Sequence, residues 1–354
     1  MKKILLYLFL IFITLQAIIA PAKTITYATD SLNLCLTVII PSLLPFFICS
    51  GLLIHSGFCG ILSRLTQPVM KPLFNVNGAG AAAFILGIIS GYPLGAITAC
   101  QLYESGYLSK SETERLLSFC NNSGPLFILG SVGISLFHSL PAGVMLYISH
   151  ILASLSAGII MRFFKKSAYA PPHITIATEE KSVGEMFQAV ISSSVSSILS
   201  VSAAIIFCSV ISKNLLSLLP LRGALHSVAL GGVEFVNGIS ELSTSSVSPS
   251  LKLILTSWML GFSGLSVHLQ VMAVTARQRL SLKPYIIGKL LHGGLSALYT
   301  LLFLKLFTPI SQTFSNGIIG YSFIDVSLYS ILAAALTVGM VLGVTLLLYL
   351  KLRE

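Results

Sequence analysis

The chain alternates between long apolar runs and short polar joints. Eight runs are nearly free of charge: Ile4–Ala20, Ser31–His55, Phe119–Phe137, Ala142–Phe163, Met186–Ser212, Leu253–Thr275, Pro284–Phe307 and Leu328–Leu350. Continuous apolar runs of about 20 residues suit helices that cross a hydrocarbon layer about 30 Å thick. A spanning β-barrel would instead alternate apolar and polar positions over segments of about ten residues. Two further apolar stretches are interrupted. The stretch 79–103 contains Ser90-Gly91-Tyr92-Pro93-Leu94-Gly95, and 223–240 contains Gly231-Gly232 and then Glu234-Phe235-Val236-Asn237-Gly238. Glycine and proline weaken a helix interior. Freed backbone groups at membrane depth must be satisfied by protein or by a wet cavity. Both stretches are therefore predicted to be re-entrant hairpins.

Composition agrees with a membrane chain. Of 354 residues, 55% are apolar and only 9% charged, against about 25% charged in an ordinary soluble domain. Too few charges remain for a solvated shell. Disordered chains, nucleic-acid-binding modules and disulfide scaffolds are excluded on the same ground. The predicted class is an all-α polytopic membrane protein, with about eight transmembrane helices plus two re-entrant hairpins, and with the lipid bilayer as its surroundings.

The net charge of +10 then reads as basic loops on the cytoplasmic side, not as a nucleic-acid footprint. With a cytoplasmic N-terminus and two re-entrant hairpins, 15 Lys/Arg lie inside and 4 outside, with Lys289 and Lys305 in the membrane. If both interrupted stretches crossed fully, the division would be 11 to 8. The positive-inside bias favours the hairpins and places the C-terminus in the cytoplasm as well. Met1–Ala20 has the basic start and apolar stretch of a signal sequence. Pro21 is a poor residue to follow a cut, so an uncleaved anchor is the favoured reading. The six cysteines form no C-x-x-C pair and read as small apolar fillers. No metal-ligand cluster and no phosphate-binding G-x-x-x-x-G-K-[ST] loop occur, so no cofactor is expected.

The order span, hairpin, span, span begins at Ser31 and again at Met186, the second time from the opposite side. Gly91 precedes Gly124 by 33 residues, and Gly232 precedes Gly264 by 32. Phe47-Ile-Cys49-Ser50 echoes Phe207-Cys208-Ser209, and Ser123-Gly124 echoes Ser263-Gly264. The division expected is an anchor at 1–30, a first repeat at 31–163, a cytoplasmic linker at 164–185, an inverted repeat at 186–307 and a terminal helix at 308–354. Inverted repeats with broken helices are characteristic of secondary transporters, whose substrate sits where the breaks meet.

Four groups of residues could carry chemistry. Gly87, Gly91 and Gly95 lie four apart and suit close helix packing. With Tyr92 and Pro93, the break at Gly91 also exposes backbone N–H groups to a bound anion. Asn121, Asn122, Ser123 and Gly124 precede Pro125. They read either as a helix cap or as hydrogen-bonding partners of a substrate. Glu234 is a carboxylate inside an apolar stretch, where a charge costs about 2.5–3.5 kcal/mol even on lenient scales. It reads as a structural acid paired with His226, His268 or Lys289, or as a protonatable coupling site near Asn237 and Gly238. Ser263, Gly264, Ser266, His268 and Gln270 form a polar stripe, serving either as glue between helices or as a cavity lining.

Ser-Gly-Tyr-Pro-Leu-Gly-Ala (90–96), Asn-Asn-Ser-Gly-Pro-Leu-Phe-Ile-Leu-Gly (121–130) and Gly-Leu-Ser-Val-His-Leu-Gln (264–270) resemble motifs of the YlbJ family of sporulation integral membrane proteins. Gly231, Glu234 and Gly238 are similar to that family's Gly-x-x-Glu-x-x-x-Gly. The family falls in the wider Gate, or nucleoside-recognition, group, and the likeness runs from about residue 35 to 300. The resemblance implies a transport protein of the outer forespore membrane carrying dipicolinic acid, a small aromatic dicarboxylate. It does not by itself imply a nucleoside substrate. On this reading the partners are a small-molecule anion, the bilayer, and other copies of the chain or sporulation membrane proteins. Asn121, Asn122, Ser123 and Gln270 would bind cargo, and Glu234 would carry a proton or act as a gate.

Two other classes compete. A non-transporting scaffold for the spore envelope would show similar polar stripes. An intramembrane serine protease is suggested by Gly261-Phe262-Ser263-Gly264 and by His292 on the next span, which could form a nucleophile–base pair. The rest of the rhomboid protease pattern is missing, and a non-enzyme is expected.

Overall fold

The computed structural model describes residues 2–55, 58–164, 182–216 and 220–306. Every regular element among them is helical. Helix α1 (Lys2–Ile19) meets α2 (Pro21–Leu34) at Pro21, where the axis turns by 102°. Proline at the first helical position needs no N–H and starts α2 cleanly. From Pro21 the helical backbone continues through a widened π turn (Cys35–Ile39) into α3 (Ile40–His55). Pro41 lies just beyond the widened turn and removes a rung from the ladder. The span expected at Ser31–His55 therefore begins ten residues earlier.

An amphipathic helix α4 (Phe58–Phe74) follows. Sequence reading placed only a loop here, because Arg64, Lys71 and two prolines break up the apolar pattern. The first interrupted stretch is a helical hairpin, α5 (Gly80–Ser90) and α6 (Leu94–Glu104), turning at Gly91-Tyr92-Pro93. The Tyr92–Pro93 peptide is cis. Next come α7 (Lys110–Cys120), an unwound stretch at 121–124, and a π-helical segment (Leu126–Leu136). A capping box opens α7: Ser109 Oγ accepts from the Glu112 N–H while Glu112 accepts from the Ser109 N–H at 2.9 Å. The run expected to be one span at Phe119–Phe137 is thus the second half of a broken helix whose polar first half is α7. Helix α8 (Leu140–Met161) completes the first set.

The second set starts with the 34-residue α9 (Val183–Leu216). The other interrupted stretch is the hairpin α10 (Gly223–Val233) and α11 (Phe235–Thr244), turning at Glu234. Helices α12 (Pro249–Phe262) and α13 (Gly264–Thr275) form a rod broken at Ser263, a residue in the left-handed conformation. Sequence reading took this rod for an unbroken span. Helix α14 (Lys283–Leu306) closes the described chain. The order long helix, hairpin, broken helix, long helix thus occurs twice.

Among the described residues, four helical units are long and apolar enough to cross a membrane: Leu140–Met161, Val183–Leu216, Pro249–Thr275 and Lys283–Leu306. The bent pair Ile11–Ile19 and Pro21–Thr37 makes a fifth if counted as one. The chain is an all-α polytopic membrane protein. The predicted helix at Leu328–Leu350 and most of the linker lie outside the described residues.

The two hairpins enter from opposite ends of the bundle. The α12–α13 rod begins four residues after α11, beside the base of the second hairpin. Its far end meets the base of the first, where Gln278 donates to Glu104 at 2.7 Å and the Ser281 N–H donates to Glu114 at 2.8 Å. Arg115 joins the same end together, donating to the carbonyls of Asn75 and Phe164. At the other end, Lys213 lies 3.9 Å from Asp30 and His226 Nδ1 lies 2.7 Å from the Glu241 carboxylate.

Candidate functional site

The hairpin tips meet in the middle of the bundle, and glycine makes the approach possible. The arms of the first hairpin come together at Gly87 and Gly95, with the Cys120 carbonyl between them; a Cβ on either glycine would strike that oxygen. Gly91 has φ +87°, and a Cβ there would sit 3.0 Å from the Gly124 nitrogen. The first tip therefore rests backbone to backbone on the first broken helix. The second hairpin repeats the arrangement. Gly238 abuts Gly231, and Gly264 (φ +67°) faces the carbonyls of Gly231 and Val233. Only glycine takes such positive φ angles without strain.

Side chains join the two tips. The Tyr92 and Phe235 rings meet edge to face at 5.8 Å, and Phe127 meets Phe235 at 5.6 Å. Tyr92 donates its phenol proton to the Leu260 carbonyl at 2.7 Å and accepts from the Ser263 hydroxyl at 2.7 Å. Glu234 is fully buried at the start of α11. Its carboxylate accepts from the Asn237 N–H and side-chain amide, both at 2.7 Å, and from the Val236 N–H at 3.2 Å. This is an N-cap made with a charged group, placed where the α11 helix dipole favours an anion. The pairing expected with His226, His268 or Lys289 does not occur. His226 pairs with Glu241, His268 Nδ1 meets the Gly264 carbonyl at 2.7 Å, and Lys289 bonds elsewhere.

Between the tips lies a cavity of about 30 Å³, bounded by Gly91, Tyr92, Ser123, Gly124, Ser266 and Gln270 on its polar side. That volume holds about one water. Phe127, Phe235 and Val236, with Ile39, Leu43, Val201 and Ile205 from the α3 and α9 side, complete the wall. Ser266 Oγ and Gln270 Oε1 are buried and have no hydrogen-bond partner among the described residues. An unpaired buried oxygen costs about 1–3 kcal/mol, so these two atoms ask for a polar occupant. A second cavity, about 40 Å³, lies between α3, α6 and α9 toward the base of the first hairpin, lined by Phe47, Gly51, Leu94, Gln101, Ser194 and Ser197 among others. The two cavities share one track: Ile39, Leu43, Phe47 and Gly51 step along one face, and Ile205, Val201, Ser197 and Ser194 along the other.

Six of the sequence-derived candidates thus line the cavity, and the other ten build its frame. Pro93 and Gly95 shape the first hairpin. Gly238, Asn237 and Glu234 hold the second, while Ser263 and Gly264 make the break in the rod. His268 packs against Phe262 and Tyr285 with ring centroids 4.9 and 5.1 Å apart. Asn121 and Asn122 do not reach the cavity. Asn122 donates back to the Phe119 carbonyl at 2.9 Å, and the Asn121 carbonyl accepts from Lys289 at 2.9 Å. Nor is a Ser263–His292 pair assembled, since His292 Nε2 bonds the His150 carbonyl at 3.0 Å and Ser263 bonds Tyr92.

The missed feature is a fully buried polar cluster behind the first tip. Lys289 Nζ lies 3.4 Å from His292 Nδ1 and 5.2 Å from the Tyr92 ring centre. The His150 and His292 rings lie 4.4 Å apart, and His150 Nε2 accepts from the Ser123 N–H at 3.0 Å. An ionisable residue in an apolar run was the available signal. Residues 36–213 match the family model Gate, described as nucleoside recognition. The sporulation integral membrane protein YlbJ of Bacillus subtilis (strain 168) is 32% identical over 332 aligned residues, covering 84% of this chain and 81% of the relative. No solved structure matches the chain. The motifs, their spacing and this extent of identity agree: the chain belongs to the YlbJ family of sporulation integral membrane proteins, within the Gate group.

Proposed function

We propose that this protein carries a small anionic solute across a membrane, through alternating opening of two inverted units, 31–163 and 186–307, around the central cavity. The observation that carries the reading is the convergence of two hairpin tips and two helix breaks on a cavity with two unpaired polar atoms, Ser266 Oγ and Gln270 Oε1. Backbone N–H groups at the breaks and these side chains would hold the cargo. At about 30 Å³ the cavity is too small for an aromatic dicarboxylate, so loading requires the tips to part. Glu234 would serve as the gate. Protonation would remove charge from the carboxylate that holds the start of α11, and the second tip would loosen.

Family membership supports a role in sporulation. The cargo proposed is dipicolinic acid, and the membrane proposed is the outer forespore membrane, with the N- and C-termini cytoplasmic. Other copies of the chain or further membrane proteins would complete the assembly. The test is uptake of labelled dipicolinate and of nucleosides by the purified protein in liposomes, with Glu234→Gln alongside. Dipicolinate uptake that saturates, and that falls in Glu234→Gln, is expected. Background uptake of every solute by folded, inserted protein would instead favour the scaffold role.

A further inference from the structure

The packing around Lys289 gives its amine no counter-ion among the described residues. The ammonium is fully buried in α14. Its contacts are the Asn121 carbonyl at 2.9 Å, His292 Nδ1 at 3.4 Å and the Tyr92 ring at 5.2 Å. No carboxylate among the described residues lies within 4.0 Å of it; the ion pairs there, Lys213 with Asp30 and His226 with Glu241, belong to the far end of the bundle. Glu234, the acid at the second tip, is engaged by Val236 and Asn237. A neutral amide could hold the Asn121 carbonyl equally well. A buried ammonium without a counter-ion is far costlier than that amide, and such groups persist where an anion or a proton pathway uses them.

Its position points to the use. The Tyr92 ring both lies 5.2 Å from the Lys289 Nζ and forms part of the cavity wall. His292 on α14, His150 on α8 and Cys120 on α7 lie near the amine, and none of them carries a carboxylate. In a medium of low dielectric, a charge one ring away acts strongly on an occupant of the cavity.

We propose that Lys289, protonated when an anion is seated, supplies the positive potential by which the cavity selects carboxylate solutes over neutral ones. This deepens the transport reading and rests on it for the place where the solute sits. The substrate class it names is a small organic anion, which separates this site from one built for an uncharged nucleoside.

The experiment compares pyridine-2,6-dicarboxylate with its neutral diamide and with uridine, using the full chain in liposomes. The wild-type protein is expected to prefer the dicarboxylate over the diamide by tenfold or more. Lys289→Gln, which keeps a donor for the Asn121 carbonyl, is expected to erase that preference mainly by raising KM. Lys289→Arg is expected to retain it. Lys289→Met serves as a second neutral variant should Lys289→Gln not purify as a monodisperse protein. A merely structural role would lower uptake of all three solutes together and leave the preference intact; that result overturns the proposal, as does a wild-type protein indifferent to charge. If the wild type moves none of the solutes, the transport reading falls, and equilibrium dialysis decides the charge question. Dicarboxylate bound by wild type and lost in Lys289→Gln sustains the proposal, and equal or absent binding overturns it.

Discussion

Ser263 donates its hydroxyl proton to the Tyr92 phenol oxygen at 2.7 Å, across 171 residues of sequence. Tyr92 belongs to the tip of the first hairpin and Ser263 to the break in the α12–α13 rod, so this bond ties the two sets of elements together. Tyr92→Phe should lower stability by about 1–3 kcal/mol, since the Leu260 carbonyl loses its 2.7 Å donor and keeps only the Ser263 hydroxyl at 3.4 Å. Ser263→Ala should cost less, because the phenol keeps its bond to Leu260. A double-mutant cycle followed by thermal melting in detergent should show a coupling of about 0.5–3 kcal/mol between the two positions.

The glycines divide into two kinds. Gly87→Ala or Gly95→Ala drives a methyl group into the Cys120 carbonyl, a backbone atom that cannot swing aside. Both variants should fail to yield monodisperse protein. Gly232→Ala and Gly294→Ala meet nothing within 4 Å. These helical positions should tolerate alanine and melt no lower than wild type, with a gain of up to about 1 kcal/mol from the stiffer unfolded chain. Size-exclusion profiles of the four variants check the contrast.

Glu234 acts in the described structure as a helix cap. Glu234→Ala should cost about 0.5–2 kcal/mol, the usual loss when a capping oxygen is removed. Glu234→Gln keeps one side-chain oxygen for the Asn237 N–H and should fall between alanine and wild type. Equal melting temperatures for all three proteins would refute the capping role.

The second cavity predicts chemical access. Ser197→Cys should react with a charged, membrane-impermeant thiol reagent, because its side chain borders that cavity. Leu199→Cys should stay unmodified in a bilayer although Leu199 is 59% exposed. Its exposure is to lipid, where a thiol does not ionise to the reactive thiolate. Labelling both variants in liposomes and weighing the protein by mass spectrometry separates the outcomes.

Much of this architecture was legible beforehand. Proline and glycine at 91–95, and glycine with a lone acid at 231–238, marked both hairpins, because such residues cannot continue an apolar helix. The convergence of Tyr92 with the second half followed from the repeated order and the matched spacing. The break at Ser263 was not legible, since a serine in the left-handed conformation leaves no mark in an apolar run. Helix α4 was hidden by Pro68 and Pro72, which read as loop residues. Asn121 and Asn122 looked like ligand groups because two amides exceed one cap. In three dimensions the Asn122 amide bonds back to the Phe119 carbonyl, Asn121 meets Lys289 through its main-chain carbonyl, and neither residue lines the cavity. Lys289 stood out as a partner for Glu234 and His292 as a base, but their meeting with His150 was not legible, because it depends on α7, α8 and α14 packing side by side, and no local pattern records that.

The joints around the tips are of unequal hardness. Within each set of elements, hairpin and broken helix touch through main-chain atoms at Gly91 with Gly124 and at Gly264 with Val233. Across the sets, the tips are held by side chains: the rings of Tyr92, Phe127 and Phe235, the hydroxyl of Ser263, and the Tyr92 phenol on the Leu260 carbonyl. Parting them leaves those main-chain joints intact. Farther back, Gly288 on α14 presses against Ser118 on α7, a close main-chain approach between the sets. The soft joint is thus confined to the tips, while behind them α14 grips α7 and α8, and α9 grips α2 and α3, so the two sets are interlocked everywhere except where the hairpins meet.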